Sequence, residues 1–140
     1  IPEYEDYLSD LVEAQNDYVK PSRTKAEILQ QNKAKGRAFE KQEFAKFSAK
    51  YNNAAEQVTI KTPSGTRTRV DAIGLDADGK IVIYEFKSSL TAPLTKNQRV
   101  AFEEILKSGG VVVGKGEGKG IFKGGKLIEA GTEVKIIRPN

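Results

Sequence analysis

The stretch Val70–Ser88 reads V-D-A-I-G-L-D-A-D-G-K-I-V-I-Y-E-F-K-S. Two apolar runs flank Asp76-Ala77-Asp78-Gly79, which predicts two strands joined by a tight turn. A three-residue loop with Gly in the left-handed position is a favoured hairpin connection. With Ala77-Asp78-Gly79 as that loop, Asp76 pairs with Lys80, and counting back along the ladder sets Asp71 opposite Glu85. Side chains alternate by two along a strand, so Asp71, Glu85 and Lys87 are expected to project from one face. The other register sets Asp71 opposite Tyr84 and separates the charges. Like charges directly opposite are destabilising, so the first register implies a cation between the two acids or a raised pKa on one of them.

Working outward, Glu56–Thr62 and Thr66–Leu75 read as strands joined by a turn at Pro63-Ser64-Gly65. The third strand is Lys80–Ser88. Upstream, Lys25–Tyr51 has apolar residues at roughly helical spacing (Ile28, Leu29, Phe39, Phe44, Phe47), with Ser22 or Thr24 as cap and a bend into two helices expected at Gly36. Ile1–Pro21 reads as a further amphipathic helix. Downstream, Thr95 is expected to cap a helix to about Lys107 with Val100, Ala101, Ile105 and Leu106 inward. Gly109-Gly110 stops that helix, and Val111–Val113 is a short apolar strand. A strand–helix–strand crossover of this length favours a parallel pair. Glu133–Arg138 alternates like an edge strand. The fold class is therefore α/β, with a helical extension over residues 1–32, a main domain over 33–140 and a C-terminal edge hairpin.

The bulk numbers narrow the chemistry. One compact domain suits 140 residues. A net charge of +4 favours an anionic partner without specifying one. There is no Cys, which excludes disulfides and thiolate metal sites, and no His, which excludes His-based acid/base catalysis and Ser-His-Asp triads. Acid/base or metal chemistry here must use carboxylates, Lys, Tyr or water. No apolar run approaches the roughly 18 residues of a membrane helix, so no membrane insertion by this domain is expected. The chain starts at Ile1 and has no Met, so a piece of a longer polypeptide is expected.

Asp71, Glu85 and Lys87 admit two readings. One is a half-wet meander with a cross-strand ion pair. The other is a divalent-metal site: two carboxylates from adjacent strands supply hard oxygen ligands and leave room for water and a phosphate, while Lys87 positions the attacking water or offsets charge on phosphorus.

The D…E-F-K pattern on a hairpin resembles the signature of the PD-(D/E)xK nuclease superfamily. That resemblance implies a restriction-endonuclease-like core: helix, three-stranded antiparallel meander, helix, then a strand parallel to the third, over about Lys33–Val113. It implies Asp71 and Glu85 as metal ligands, Lys87 as catalytic lysine, and Mg²⁺ as cofactor with Mn²⁺ as a substitute. Val70 stands where the family name has Pro. Many members carry a Glu on the first core helix aimed at the metal, and Glu40 in Gly36-Arg37-Ala38-Phe39-Glu40 fits that position; it also fits a solvated helix charge beside Lys41 and Glu43. Several branches place a Gln early in the next helix with an aromatic four residues on. Gln98 and Phe102 have that spacing, with Phe in place of Tyr, and a plain polar residue in a first helical turn explains Gln98 as well.

Arg69 is a candidate phosphate grip or an ion-pair partner of Glu85. Lys115 and Lys119, in the Gly114–Gly120 loop, are candidate nucleic-acid contacts or parts of an ordinary surface loop. That loop lacks the G-K-[ST] ending of a nucleotide-binding loop. Asp76-x-Asp78-Gly79 lacks the later ligands of an EF-hand.

The ending, from Phe122-Lys123-Gly124-Gly125 to Val134-Lys135-Ile136-Ile137-Arg138-Pro139, is similar to the tails of C-terminal nuclease domains of bacterial polymorphic toxins, including contact-dependent inhibition proteins, Rhs proteins and type VI secretion effectors. This likeness implies a DNase, with DNA ahead of RNA as substrate. Such a domain is secreted from its producer within a larger protein, acts in the target-cell cytoplasm and is neutralised by a cognate immunity protein. A Holliday-junction resolvase, repair or mobile-element nuclease shares the same chemistry. A basic, non-catalytic nucleic-acid-binding or interaction module is the remaining alternative.

Overall fold

The computed structural model describes residues 23–114 and 119–140. The helix expected over Ile1–Pro21 and the candidate contact Lys115 lie outside the described residues. Among the described residues, two helices accompany a curled six-stranded mixed sheet, and residues 36–140 pack as one compact unit.

Helix α1 spans Lys25–Lys50. Thr24 caps it, with its hydroxyl accepting from the Glu27 N–H at 3.1 Å. The helix is continuous through Gly36, one element where two were expected. A mid-helix Gly costs about 1 kcal/mol relative to Ala, and the Ala, Lys and Arg residues around it are strong helix formers that absorb this. Phe47 is the buried anchor of its C-terminal half. Its ring lies 4.8 Å from that of Tyr51 and 4.9 Å from that of Tyr84.

Strand β1 (Asn52–Lys61) pairs antiparallel with β2 (Arg67–Leu75), and β2 pairs antiparallel with β3 (Ile81–Phe86). The hairpin turn forms as the sequence implied. Asp76 N–H donates to the Lys80 carbonyl at 2.9 Å, and the Asp76 carboxylate accepts from the N–H groups of Asp78 and Lys80. The β2–β3 ladder runs from Leu75↔Ile81 to Ala72↔Tyr84. The next step of that register sets Asp71 against Glu85.

Helix α2 (Lys96–Ser108) is capped by Thr95 in a complete capping box with Gln98. It buries Ala101, Phe102 and Ile105. Val100 and Leu106, expected inward, are 48% and 45% exposed; the helix is rotated so that Phe102 takes the inner position. Glu104 ties α2 to the β1–β2 turn, accepting from the Ser64 N–H at 2.8 Å and from its hydroxyl at 2.6 Å.

Strand β4 (Gly110–Val113) corrects the expected topology. It pairs antiparallel with β1, not parallel with β3. The sheet order is β5-β4-β1-β2-β3-β6, where β5 is Leu127–Ile128 and β6 is Val134–Ile137. The parallel partner of β3 is β6, through Ile83↔Val134 to Phe86↔Ile137. The two Gly residues explain part of this arrangement. A Cβ on Gly110 would sit 2.9 Å from both Ile60 Cγ2 and the Lys61 carbonyl oxygen, so only Gly lets β4 approach β1 so closely. Gly109 has φ 73°, and a Cβ there would strike the Ile128 carbonyl. The expected C-terminal edge hairpin is also corrected: β5 and β6 lie at opposite edges of the sheet. The edge position expected for Glu133–Arg138 is the one β6 occupies.

The larger core cluster joins Val58, Ile60, Ile73 and Ile83 of the sheet to Ala101 and Ile105 of α2 and to Phe122. A smaller cluster joins Phe47 to Ala72 and Phe86.

Candidate active site

The β2–β3 ladder stops one step short of Asp71 and Glu85, where the two strands separate. The Asp71 carboxylate enters the gap and accepts from the Phe86 N–H at 2.7 Å, in place of a ladder bond. Its other oxygen accepts from Gln57 Nε2 of β1 at 3.1 Å. Asp71 is 8% exposed and Glu85 5% exposed. Two acids are thus buried side by side at the end of a core hairpin, an arrangement that is rare without pairing.

Glu85 is anchored on one side only. Its Oε2 accepts from Gln98 Nε2 at 2.8 Å. Its Oε1 is buried and receives no hydrogen bond from a donor group; protonated, the carboxyl can share one with Asp71. Burial and then the negative charge of Asp71 push its pKa up from 4.5 to about 8, against the opposing pull of Lys87. Both mechanisms disfavour the ionised form.

Gln98 links the elements. Its Oε1 accepts from the Lys87 ammonium at 3.0 Å and from the Thr95 N–H at 3.0 Å, and its amide donates to Glu85. The capping box therefore does two jobs: it terminates α2 and it holds the acid and the lysine of E-F-K on either end of one amide. Lys87 is further fixed through its backbone, whose N–H donates to the Ile137 carbonyl of β6 at 2.9 Å.

The remaining candidates lie farther out. Glu40, on α1, is an exposed residue whose carboxyl is partly desolvated. That desolvation, then the charge of Asp71, raises its pKa, while Arg69 lowers it. Glu40 therefore lies within electrostatic range of Asp71. Among the described residues no group of three or more Asp, Glu, His or Cys forms a ready-made metal cage. Arg69 is exposed on β2 and forms no ion pair with Glu85. The Lys119 ammonium donates to the Glu56 carbonyl of β1.

Sequence reasoning missed Gln57. The signal was available by counting. The β1–β2 turn closes with Thr62 N–H donating to Thr66 carbonyl, and the same register five residues on sets Gln57 opposite Asp71. Also unforeseen is the Tyr51–Tyr84 pair, whose hydroxyls lie 2.9 Å apart. Burial, then the bond to Tyr51, pushes Tyr84 up to about 12. This pair lines a cavity of about 160 Å³ with Phe47, Lys46 and Lys50.

Compared with protein-family models, with characterised proteins and with solved structures, the chain gives no match.

Proposed function

We propose that the domain is a metal-dependent nuclease, acting on DNA in preference to RNA, and that it serves as an antibacterial toxin effector neutralised by an immunity protein. The observation that carries the nuclease reading is the buried Asp71–Glu85 pair with Glu85 Oε1 left unpartnered. A divalent cation fits this donor set. Asp71 accepts one hydrogen bond on each oxygen, from Gln57 and Phe86, and Glu85 accepts one on Oε2 from Gln98, so each carboxylate keeps lone pairs for a hard cation. Mg²⁺ binds through one or two carboxylates plus water and substrate phosphate, so a site lacking a third acid suits it. Bound there, the ion would lower the pKa of a water and draw electron density from the scissile phosphate.

The chain's own groups do the rest. Asp71 and Glu85 hold the ion. The Lys87 ammonium, steadied by Gln98 Oε1, donates to the attacking water or to the phosphoryl oxygen that gains charge. Gln98 keeps Glu85 and Lys87 in fixed relation. Glu40 adds negative potential from α1, and Arg69 and Lys119 are cations for flanking phosphates. The succession of α1, three antiparallel strands and α2, with β6 parallel to β3, supports a restriction-endonuclease-like core in which the β4–β5 hairpin precedes the parallel strand. The toxin role rests on the likeness of the chain's ending to such domains.

The test is incubation of the purified domain with plasmid DNA and total RNA, with Mg²⁺ or with EDTA. Cleavage that needs Mg²⁺ and is lost in Asp71→Asn supports the reading. Intact substrate at every Mg²⁺ or Mn²⁺ concentration, or full cleavage by Asp71→Asn, refutes it.

A further inference from the structure

Two non-Gly described residues have a positive φ: Asn53 at 56° and Gln57 at 55°. Both lie in β1, Asn53 within the register shift between Asn52 and Ala55 and Gln57 at the step opposite Asp71. Left-handed backbone is disfavoured for a residue with a Cβ, and less so for Asn than for Gln. This chain has Gly at seven other described positive-φ positions, so glycine is its usual solution where the backbone must turn that way. At position 57 it carries Gln instead. A Gly there would give the same turn with less strain but no side chain. The Gln side chain makes one hydrogen bond among the described residues, its amide donating to Asp71 Oδ1 at 3.1 Å. Strained backbone in native structures gathers where a side chain has to be aimed.

We infer that Gln57 is a positioning residue, kept in a strained backbone conformation so that its amide fixes the Asp71 carboxylate beside Glu85. The inference rests on the metal-site reading of Asp71 and Glu85 and adds a member to it from β1. Asp71 Oδ2 is set by the Phe86 N–H, which belongs to the backbone of β3. Without Gln57 the carboxylate keeps that single anchor and is free to rotate about it. A carboxylate so released presents its second oxygen to the ion in a spread of orientations, which lowers affinity for the ion and the fraction of bound complexes that are productive.

The structural alternative makes a different prediction. If Gln57 merely stabilises β1, then Gln57→Gly lowers stability and leaves ion binding alone. If it is held under strain for Asp71, Gln57→Gly leaves stability unchanged or raises it while ion binding falls. Asn53→Gly is the control: it relieves the same kind of strain in the same strand, and Asn53 makes no contact with Asp71 among the hydrogen bonds of the described residues.

The experiment is Mn²⁺ titration of the intact chain by calorimetry, paired with urea unfolding in EDTA, for wild type, Gln57→Gly and Asn53→Gly. Expected are about 10- to 100-fold weaker Mn²⁺ binding for Gln57→Gly, with an unchanged or higher urea midpoint, and wild-type Mn²⁺ affinity for Asn53→Gly. In cleavage assays Gln57→Gly should raise the Mg²⁺ concentration at half-maximal rate more than it lowers the rate at saturating Mg²⁺. Wild-type affinity in Gln57→Gly overturns the inference and leaves the metal site standing. A lower urea midpoint also overturns it, whatever the affinity, because a weakened fold then accounts for any loss of binding. Absence of Mn²⁺ binding by the wild type overturns the metal-site reading, and this inference with it.

Discussion

Glu85→Gln separates a buried acid that needs a cation from one that is merely tolerated. In the folded chain the Glu85 pKa rises from 4.5 to about 8 because the carboxyl is buried beside Asp71. A raised carboxyl pKa means that the folded state binds more protons than the unfolded state between those two values. Stability is therefore greatest below about 4.5 and falls as pH rises through about 8. The full gap corresponds to a ceiling of about 5 kcal/mol. Relaxation and water entry soften the burial, so roughly 1–3 kcal/mol is expected between pH 5 and pH 9. Gln has the same shape and can still accept from Gln98 Nε2, but does not ionise. Urea unfolding in EDTA at pH 5, 7 and 9 measures the effect. Wild type should lose that stability relative to Glu85→Gln as pH rises, and Mg²⁺ should restore it in wild type alone, because a ligand of the folded state stabilises by mass action. Parallel pH profiles for the two proteins would remove the electrostatic premise on which the site is built.

Four further outcomes are expected. Lys87→Met should lower the cleavage rate by about 10²–10³ while urea unfolding shifts by less than about 1 kcal/mol, since Lys87 is only half-buried. Gly110→Ala should destabilise by about 1–3 kcal/mol in urea unfolding, because its Cβ would press within 2.9 Å of Ile60 Cγ2 and Lys61 O. Phe122→Ala should cost about 3–5 kcal/mol by the same measurement, as its side chain is fully enclosed in the core. Asp71→Asn should abolish Mg²⁺-dependent plasmid cleavage and leave the near-UV circular dichroism unchanged, because an amide oxygen can still accept from the Phe86 N–H.

The Asp71–Lys87 hairpin was legible in the chain because its chemistry is local. Gly79 selects the turn, the turn selects the register, and period-two alternation then decides which side chains share a face. Thr95 and Gln98 were legible for the same reason, since a cap acts within one helical turn. The continuous α1 through Gly36 was not, because neighbouring helix formers outweigh one glycine only in sum.

Strand pairing across the sheet lay beyond the sequence. Val111–Val113 suits any hydrophobic edge, and its partner was decided by where Gly110 permits two backbones to meet, beside Ile60 and Lys61. The free edge of β3 was then taken by Val134–Ile137. Gln57 likewise became part of the site only through the β1–β2 register and a left-handed backbone that its own residue type disfavours. Short-range torsions and hydrogen bonds are written in adjacent residues. Long-range contacts depend on which of several similar apolar surfaces pack together, and that choice is made only when the whole core closes.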